Sequence, residues 1–310
     1  MIVEINDLVK RYDDFIAVDN VNIKVSEGEI LGLLGPNGAG KTTIINVLMG
    51  LISFNSGTIK VLEKDIIKFE DFVKKNMGIV PQDLAIYEDL TTWENLWYFG
   101  KLYGLKGEEL KKSIEEALKF IGLSDKAKEY PKKLSVGMKR RLNIGCALVH
   151  KPKLIIMDEP TVGIDPQSRN HILQSIKELN RRGTTIIYTT HYMDEVEEIC
   201  SRIVIIDNGR VIAEGDAERL KSMVSTDEIM MLDVNKINFT LIDNLRNIQG
   251  VKMCEYDRNR IRITFDKRNK ILSRVIEIIN EKEIEILSIS IEKPSLETVF
   301  LNLTGRSLRE

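Results

Sequence analysis

Cysteine is nearly missing from this chain: 310 residues contain only Cys146, Cys200 and Cys254. They stand alone and far apart, which excludes a disulfide framework and a cysteine metal site and points to a reducing compartment. Long apolar runs are also lacking. No stretch approaches the roughly 20 residues that cross a bilayer, and the opening Met1-Ile-Val-Glu-Ile-Asn-Asp7 carries acids where a signal peptide would carry bases. The expectation is a soluble, cytoplasmic chain, with any membrane passage on another polypeptide. Charge of one sign is scarce too. Forty-five basic residues against 47 acidic ones leave a net charge of -2, so there is no general attraction for DNA, RNA or anionic lipid. Aromatic residues make up 6% of the chain, and both tryptophans, Trp93 and Trp97, fall in one short stretch with Tyr98 and Phe99. That stretch either anchors a partner or packs inside its own subdomain.

What is present is a glycine-rich loop in a telling place. Glu29-Ile-Leu-Gly-Leu-Leu34 reads as a strand buried on both faces, and Lys41 to Met49 reads as a helix stopped by Gly50. Between them lies Gly35-Pro-Asn37-Gly38-Ala39-Gly40-Lys41-Thr42-Thr43. Glycines let backbone wrap closely around an anion, and the unpaired N–H groups of the helix start point at it with the positive end of the dipole. In such a cradle Lys41 reaches the β- and γ-phosphates of a nucleoside triphosphate and the Thr42 hydroxyl coordinates the accompanying magnesium ion.

Other segments make sense as servants of that cradle. Leu154 to Asp158 is an apolar strand that ends in two adjacent acids, Asp158 and Glu159. Paired carboxylates at the tip of a buried strand are costly unless a cation or a reacting group is near. Asp158 suits a magnesium-bound water, and Glu159 suits the general base for an attacking water. Thr184 to His191 is a further buried strand that delivers His191, one of three histidines, to the γ-phosphate or the water. Gln82 stands at the end of the strand Met77–Val80. Between strands at residues 2–9 and 21–25 lies a connection, Lys10 to Val18, whose aromatic ring would stack on a base; Tyr12 is the candidate and Phe15 its rival.

From about residue 83 to 150 the pattern is helical, with helices expected over Thr92–Tyr103, over Glu108–Ile121 and from about Gly137, as an insertion in an α/β domain. Strands alternating with helices argue a mainly parallel sheet, with a hairpin turning through Asn208-Gly209. Apolar strands stop near residue 220, which divides the chain into 1–220 and 221–310. The second part reads βαββαβ, the order of a small α+β ferredoxin-like domain, with Ile271, Leu272, Val275, Ile276 and Ile279 sharing one helix face. Pro294-Ser295 would open a last short helix that Gly305 closes. No titratable cluster or glycine-rich loop appears there, so its expected role is regulation or interaction.

These residues together resemble the ATP-binding subunit of an ATP-binding cassette (ABC) transporter. GPNGAGKT matches the Walker A loop, Gln82 the Q-loop residue, Leu134-Ser-Val-Gly-Met138 the signature, Leu154–Asp158 the Walker B strand, Glu159 the catalytic base, Gly163-Ile-Asp-Pro166 the D-loop and His191 the switch histidine. The signature departs from the common LSGGQ at Val136 and Met138, while Ser135 and Gly137 remain. The resemblance implies a P-loop NTPase domain that hydrolyses ATP. Lys41, Gln82, Glu159 and His191 would be its catalytic groups, and Thr42, Gln82 and Asp158 would lie around Mg2+. Tyr12, the loop from Gly35 to Thr43 and Asp165 would join the nucleotide site, and Ser135 and Gly137 would close it from a second subunit. Multi-span permease chains are the implied partners, with Phe72 to Trp97 as docking surface, which would place this chain peripherally on the inner face of the cell membrane. The ending from Lys293 to Gly305 resembles drug-resistance-type exporter ATPases, which favours export. The competing reading is a soluble ABC-type ATPase on ribosomes or DNA, but such chains usually join two cassettes or insert long coiled coils, and neither is present.

Overall fold

The alternation that opens the chain runs further than the sequence suggests. Strands β1 (Val3–Tyr12) and β2 (Phe15–Val25) form an antiparallel hairpin that pairs Tyr12 with Phe15. The segment Lys10 to Val18 is therefore strand, not a connection, apart from a two-residue turn at Asp13-Asp14. Asp13 takes a left-handed φ of 50°, which an Asp tolerates because its short side chain can bond locally. The structure, a computed structural model, describes residues 1–224, 227–266, 268–292 and 295–305.

Strand β3 (Ile30–Leu34) leads into helix α1 (Lys41–Leu48). Then come β4 (Ser56–Val61), the short β5 (Lys64–Asp65), α2 (Glu70–Lys75) and β6 (Met77–Val80). The helical insertion holds α3 (Thr92–Leu102), α4 (Gly107–Phe120) and α5 (Val136–Leu148). The core resumes with β7 (Leu154–Asp158), α6 (Pro166–Arg181), β8 (Thr185–Thr189), α7 (Met193–Ile199), β9 (Arg202–Asp207) and β10 (Arg210–Gly215). Both β5 and α2 escape a reading by periodicity, being too short to show one.

Two sheets result. One is antiparallel, in the order β2-β1-β4-β5; the other has six strands in the order β10-β9-β3-β8-β7-β6, and every neighbour pair from β9 to β6 is parallel. The parallel strands are apolar on both sides because both sides are covered. Leu31, Leu33, Leu154, Ile156, Ile187, Val204 and Ile206 pack with the antiparallel sheet and α1, while Ile30, Ile155, Met157, Ile186 and Tyr188 pack with residues of α5 and α6. Each fully buried Ile or Leu contributes about 1.5–3 kcal/mol.

Strand order is what assembles a site. β8 lies between β3 and β7, and β6 adjoins β7, so the loops that leave the carboxyl ends of these four parallel strands meet at one edge. Those loops carry Gly35–Gly40, Gln82, Glu159 and His191.

The chain divides into two units, one built on Met1–Ala217 and one on Glu218–Leu303, with α8 (Ala217–Val224) at the division. The second unit holds β11 (Asp227–Val234), α9 (Phe239–Arg246), β12 (Val251–Asp257), β13 (Arg260–Asp266), α10 (Leu272–Glu281) and β14 (Ile286–Glu292). Its sheet is antiparallel in the order β12-β13-β11-β14. The buried face of α10 is Val275, Ile278 and Ile279; Leu272 and Ile276, assigned to that face from the sequence, are 38% and 36% exposed. Ile271, Val275 and Ile279 are buried as the pattern suggests, and Ile278 completes that stripe on the side away from Leu272 and Ile276. A last helix, α11 (Leu296–Thr304), comes after Ser295, whose hydroxyl accepts the Thr298 N–H at 3.2 Å. Lys293 and Pro294, part of the ending read from the sequence, lie outside the described residues.

One link between insertion and sheet titrates. His150, just past α5, stacks on Tyr103 with ring centres 3.5 Å apart, and its Nε2 bonds the Met77 carbonyl at 3.3 Å. Its Nδ1 is buried with no partner, and burial pulls the imidazole from 6.5 down to about 4. The folded state therefore refuses a proton that the unfolded chain accepts. Stability is complete above pH 6.5 and falls as pH drops from 6.5 towards 4, by about 3 kcal/mol in all. Urea unfolding at pH 7.5 and pH 5 is expected to show this loss in the wild type and much less of it in His150→Phe; equal losses in both proteins would contradict it.

Candidate active site

β3 is buried throughout, and backbone leaves it through contacts that only glycine permits. A Cβ on Gly35 would lie 2.4 Å from the Ile206 carbonyl oxygen, and one on Gly40 would lie 2.5 Å from that of Ala17. Gly40, at φ 104°, is the N-cap of α1 and supplies no side-chain cap, and the first turn of α1 contains no acid. The helix start is thus left open to an anion from outside. Lys41 is 9% exposed and folds back to donate to the carbonyls of Gly35 at 2.6 Å and Pro36 at 3.1 Å. Burial lowers the pKa of its ammonium, and the charges of Glu159 and Asp158 work against that fall.

The two acids are held by a residue that carries no mark in the sequence. Thr189, fully buried at the end of β8, donates its hydroxyl to Asp158 Oδ1 at 2.5 Å. The same hydroxyl oxygen accepts the Glu159 N–H at 3.0 Å, and the Thr189 carbonyl accepts it too, at 3.1 Å. Glu159 has φ 46°, an uncommon left-handed backbone for a glutamate, and these bonds hold it there. His191 completes the group, with Nδ1 3.3 Å from Glu159 Oε2.

A cavity of about 530 Å³ opens over these atoms. It is lined by Asn37 through Thr43, by Gln82, Asp158, Glu159 and His191, and by both Tyr12 and Phe15. The two rings, 45% and 62% exposed, share the hairpin tip. A second cavity, of about 430 Å³, is lined by Ser113, Phe120, Leu148 and Arg182 among others, away from all these groups. It has neither a glycine-rich loop nor an adjacent acid pair, so the chemistry belongs to the first.

The helical insertion grips this edge through another residue that sequence reasoning missed. Arg140 of α5, 5% exposed, donates to the carbonyls of Pro81 at 2.9 Å and Gln82 at 2.6 Å, while Asn143 accepts the Ala85 N–H at 3.2 Å. No sequence pattern marks either residue beyond a polar pair three apart on a mostly apolar helix. The Gln82 side chain makes no hydrogen bond among the described residues. Of the insertion's aromatics, Trp93 and Phe99 pack against its core, while Trp97 and Tyr98 are 46% and 38% exposed.

Four expected site residues do not line the cavity: Gly35, at the base of the loop, and Ser135, Gly137 and Asp165. Ser135 caps α5 by accepting the Met138 N–H at 3.2 Å, which leaves its own O–H free to donate elsewhere. Gly137 is buried, and a Cβ there would lie 2.2 Å from Ser168 Oγ, so the glycine also serves close packing of α5 on α6 within the chain. Asp165 caps α6 by accepting the Ser168 N–H at 2.9 Å, and bonds to the N–H and hydroxyl of Ser168 hold its carboxyl below the usual range. Ser135 and Asp165 are exposed.

Comparison with known proteins gives a consistent result. Residues 18–162 match a family described as ABC transporter. The linearmycin resistance ATP-binding protein LnrL of Bacillus subtilis (strain 168) is 45% identical over 307 residues, 98% of each chain. The daunorubicin resistance ATP-binding protein DrrA3 of Streptomyces coeruleorubidus is 34% identical over 302 residues, 97% of this chain and 95% of its own. Among solved structures, the ATP-binding cassette MJ0796, a dimer in a post-hydrolysis state with ADP and phosphate, matches with TM-score 0.63 at 28% identity over 69% of this chain and 98% of that one.

Thr189→Val keeps the shape and removes the hydroxyl that orients both acids. It is expected to lower steady-state hydrolysis about ten- to a hundredfold while nucleotide binding stays within about threefold, with Thr189→Ser restoring most of the rate. Unchanged turnover in the valine variant would show that Thr189 does not position them.

Proposed function

The chain belongs to the ABC transporter family as an ATP-binding, ATP-hydrolysing subunit homologous to exporter ATPases, and from that premise we propose that it powers export through separate membrane-spanning permease chains. The observation that carries this reading is the convergence of Lys41, Asp158, Glu159, His191 and Gln82 on one cleft, while Ser135 and Gly137 lie outside it. The relatives that span the whole chain are resistance and export proteins by name, which does not favour a soluble ATPase on ribosomes or DNA.

In this reading the triphosphate lies along Gly35 to Thr43, against the open start of α1. Lys41 gives up its carbonyl contacts for the β- and γ-phosphates, and Tyr12 or Phe15 covers the base. Two carboxylates beside a triphosphate repel it unless a cation intervenes, and the donor set present fits Mg2+. Thr42 Oγ1 has no hydrogen bond among the described residues, and Thr189 occupies only one Asp158 oxygen, so Thr42 and Asp158 remain to hold the ion or its water. Gln82 reaches the same place from the end of β6. The magnesium ion would supply charge neutralisation of the phosphate oxygens. Glu159 accepts the proton of the attacking water, and His191, close beside Glu159, steadies it and faces the γ-phosphate.

The cleft leaves one side of that phosphate uncovered. The N-terminus of α5, with the free Ser135 O–H and the Gly137 N–H, is suited to close it in a second copy or a close paralogue. ATP then draws two subunits together head to tail, and hydrolysis releases them. Arg140 transmits the change, because it ties α5 to the Gln82 segment, and the exposed Phe72, Leu84, Tyr87 and Trp97 offer the permease an apolar surface. Among the described residues no helix is long and apolar enough to cross a membrane, so the subunit would sit on the inner membrane face through its permease.

Glu159→Gln is expected to lower hydrolysis by about 10²–10⁴-fold while ATP still binds, and gel filtration in ATP should then show a stable dimer. Normal turnover, or failure to dimerise at saturating ATP, would remove the roles given to Glu159 and Ser135.

A further inference from the structure

His191 touches Glu159, yet it lies beyond the last hydrogen-bonded residue of β8, so its placement depends on the turn into α7. That turn is tied to a buried carboxylate. Glu195 of α7 is fully buried, and its Oε2 accepts from Tyr188 Oη at 2.8 Å and from Thr190 Oγ1 at 2.8 Å. Thr190 Oγ1 in turn accepts the Tyr192 N–H at 3.0 Å. A buried carboxylate is costly unless paired, and its partner comes from another element. Arg169, in the first turn of α6, sets Nε 2.7 Å from Glu195 Oε1, and its terminal nitrogen pairs with Asp194. The guanidinium carbon lies 4.7 Å from the centre of the Tyr192 ring, and that ring lies 4.3 Å from the imidazole of His191. A planar guanidinium can hold carboxylates at its edge and an aromatic ring on its face at once.

We propose that Arg169 is a positioning residue for hydrolysis: through Tyr192 and Glu195 it sets His191 against Glu159, and it makes that setting depend on the first turn of α6. The neighbouring residue explains the dependence. Ser168 fills the space that a side chain on Gly137 would need, so the start of the signature helix and the guanidinium behind the histidine bear on one rigid turn. This part rests on the reading that Ser135 and Gly137 close the partner's nucleotide site. Closure there presses on Ser168, the turn carries Arg169, and hydrolysis in one cleft becomes sensitive to occupancy of the other.

The test uses the full chain. Arg169→Lys keeps a positive charge opposite Glu195 but cannot hold both carboxylates and the ring face. Tyr192→Leu removes the ring and leaves the ion pairs in place. Both variants are expected to retain the wild-type KM for ATP and to lose kcat about ten- to a hundredfold, with the Hill coefficient for ATP falling to about one. On a His191→Ala background, with hydrolysis measured in a single turnover, either change should cost less than about twofold, because the group it positions is gone. Full, multiplicative losses on that background, or wild-type kcat in both variants, would overturn the proposal. A wild-type chain that does not hydrolyse ATP would instead sink the functional reading beneath it.

Discussion

A nucleoside triphosphate brings several negative charges to a cleft that already contains Asp158 and Glu159, and the arrangement of the first unit answers that conflict. Attraction is supplied by backbone and by Lys41. The parallel sheet puts the open N-terminus of α1 beside the ends of β7 and β8, and the glycines at 35 and 40 let the loop pass where any side chain would meet a carbonyl. The lysine waits on the loop's own carbonyls, buried and flanked by both acids, so it is already placed when phosphate arrives. The acids in turn are fixed in separate roles by a single hydroxyl, that of Thr189, which donates to one and accepts from the backbone of the other. Two adjacent carboxylates can then do different work, one turned to a cation and one to water.

The site is also tied to the helical insertion. Arg140 commits two guanidinium nitrogens to the carbonyls of Pro81 and Gln82, and Asn143 holds the backbone of Ala85. The segment that carries Gln82 is therefore tied to α5. The start of α5 packs on the first turn of α6, and that turn places Arg169 behind His191. Helix α5 thus bears on both sides of its own chain's cleft.

Much of this was legible in the sequence, and for physical reasons. A glycine-rich turn between a wholly apolar strand and a helix, and an acid pair at the tip of another such strand, are costly arrangements that few functions require. They pointed to the fold class and to the loop, the acids and the histidine that the strand order brings to one cleft. Thr189, Arg140 and Arg169 were not legible, because each acts through a contact made across the fold: a threonine in a β-strand or an arginine in a helix is ordinary until its partners are known. Local periodicity failed where elements were short or shifted. It gives no sign of β5 or α2, it makes the hairpin tip at Tyr12 and Phe15 a connection, and it draws the buried stripe of α10 too wide by including Leu272 and Ile276. Gly137, assigned to phosphate, is also required by Ser168 of its own chain.

The central claim is that each cleft is half a site, completed by Ser135 and Gly137 of a neighbour. Complementation between two inactive chains tests it most directly. Lys41→Ala destroys the cradle and leaves the signature; Ser135→Arg obstructs the signature and leaves the cradle. If two copies of this chain form the dimer, an equimolar mixture yields heterodimers with one intact composite site, and hydrolysis should rise well above that of either chain alone, to at most about a quarter of the wild-type rate. A mixture no more active than its two components would contradict the account.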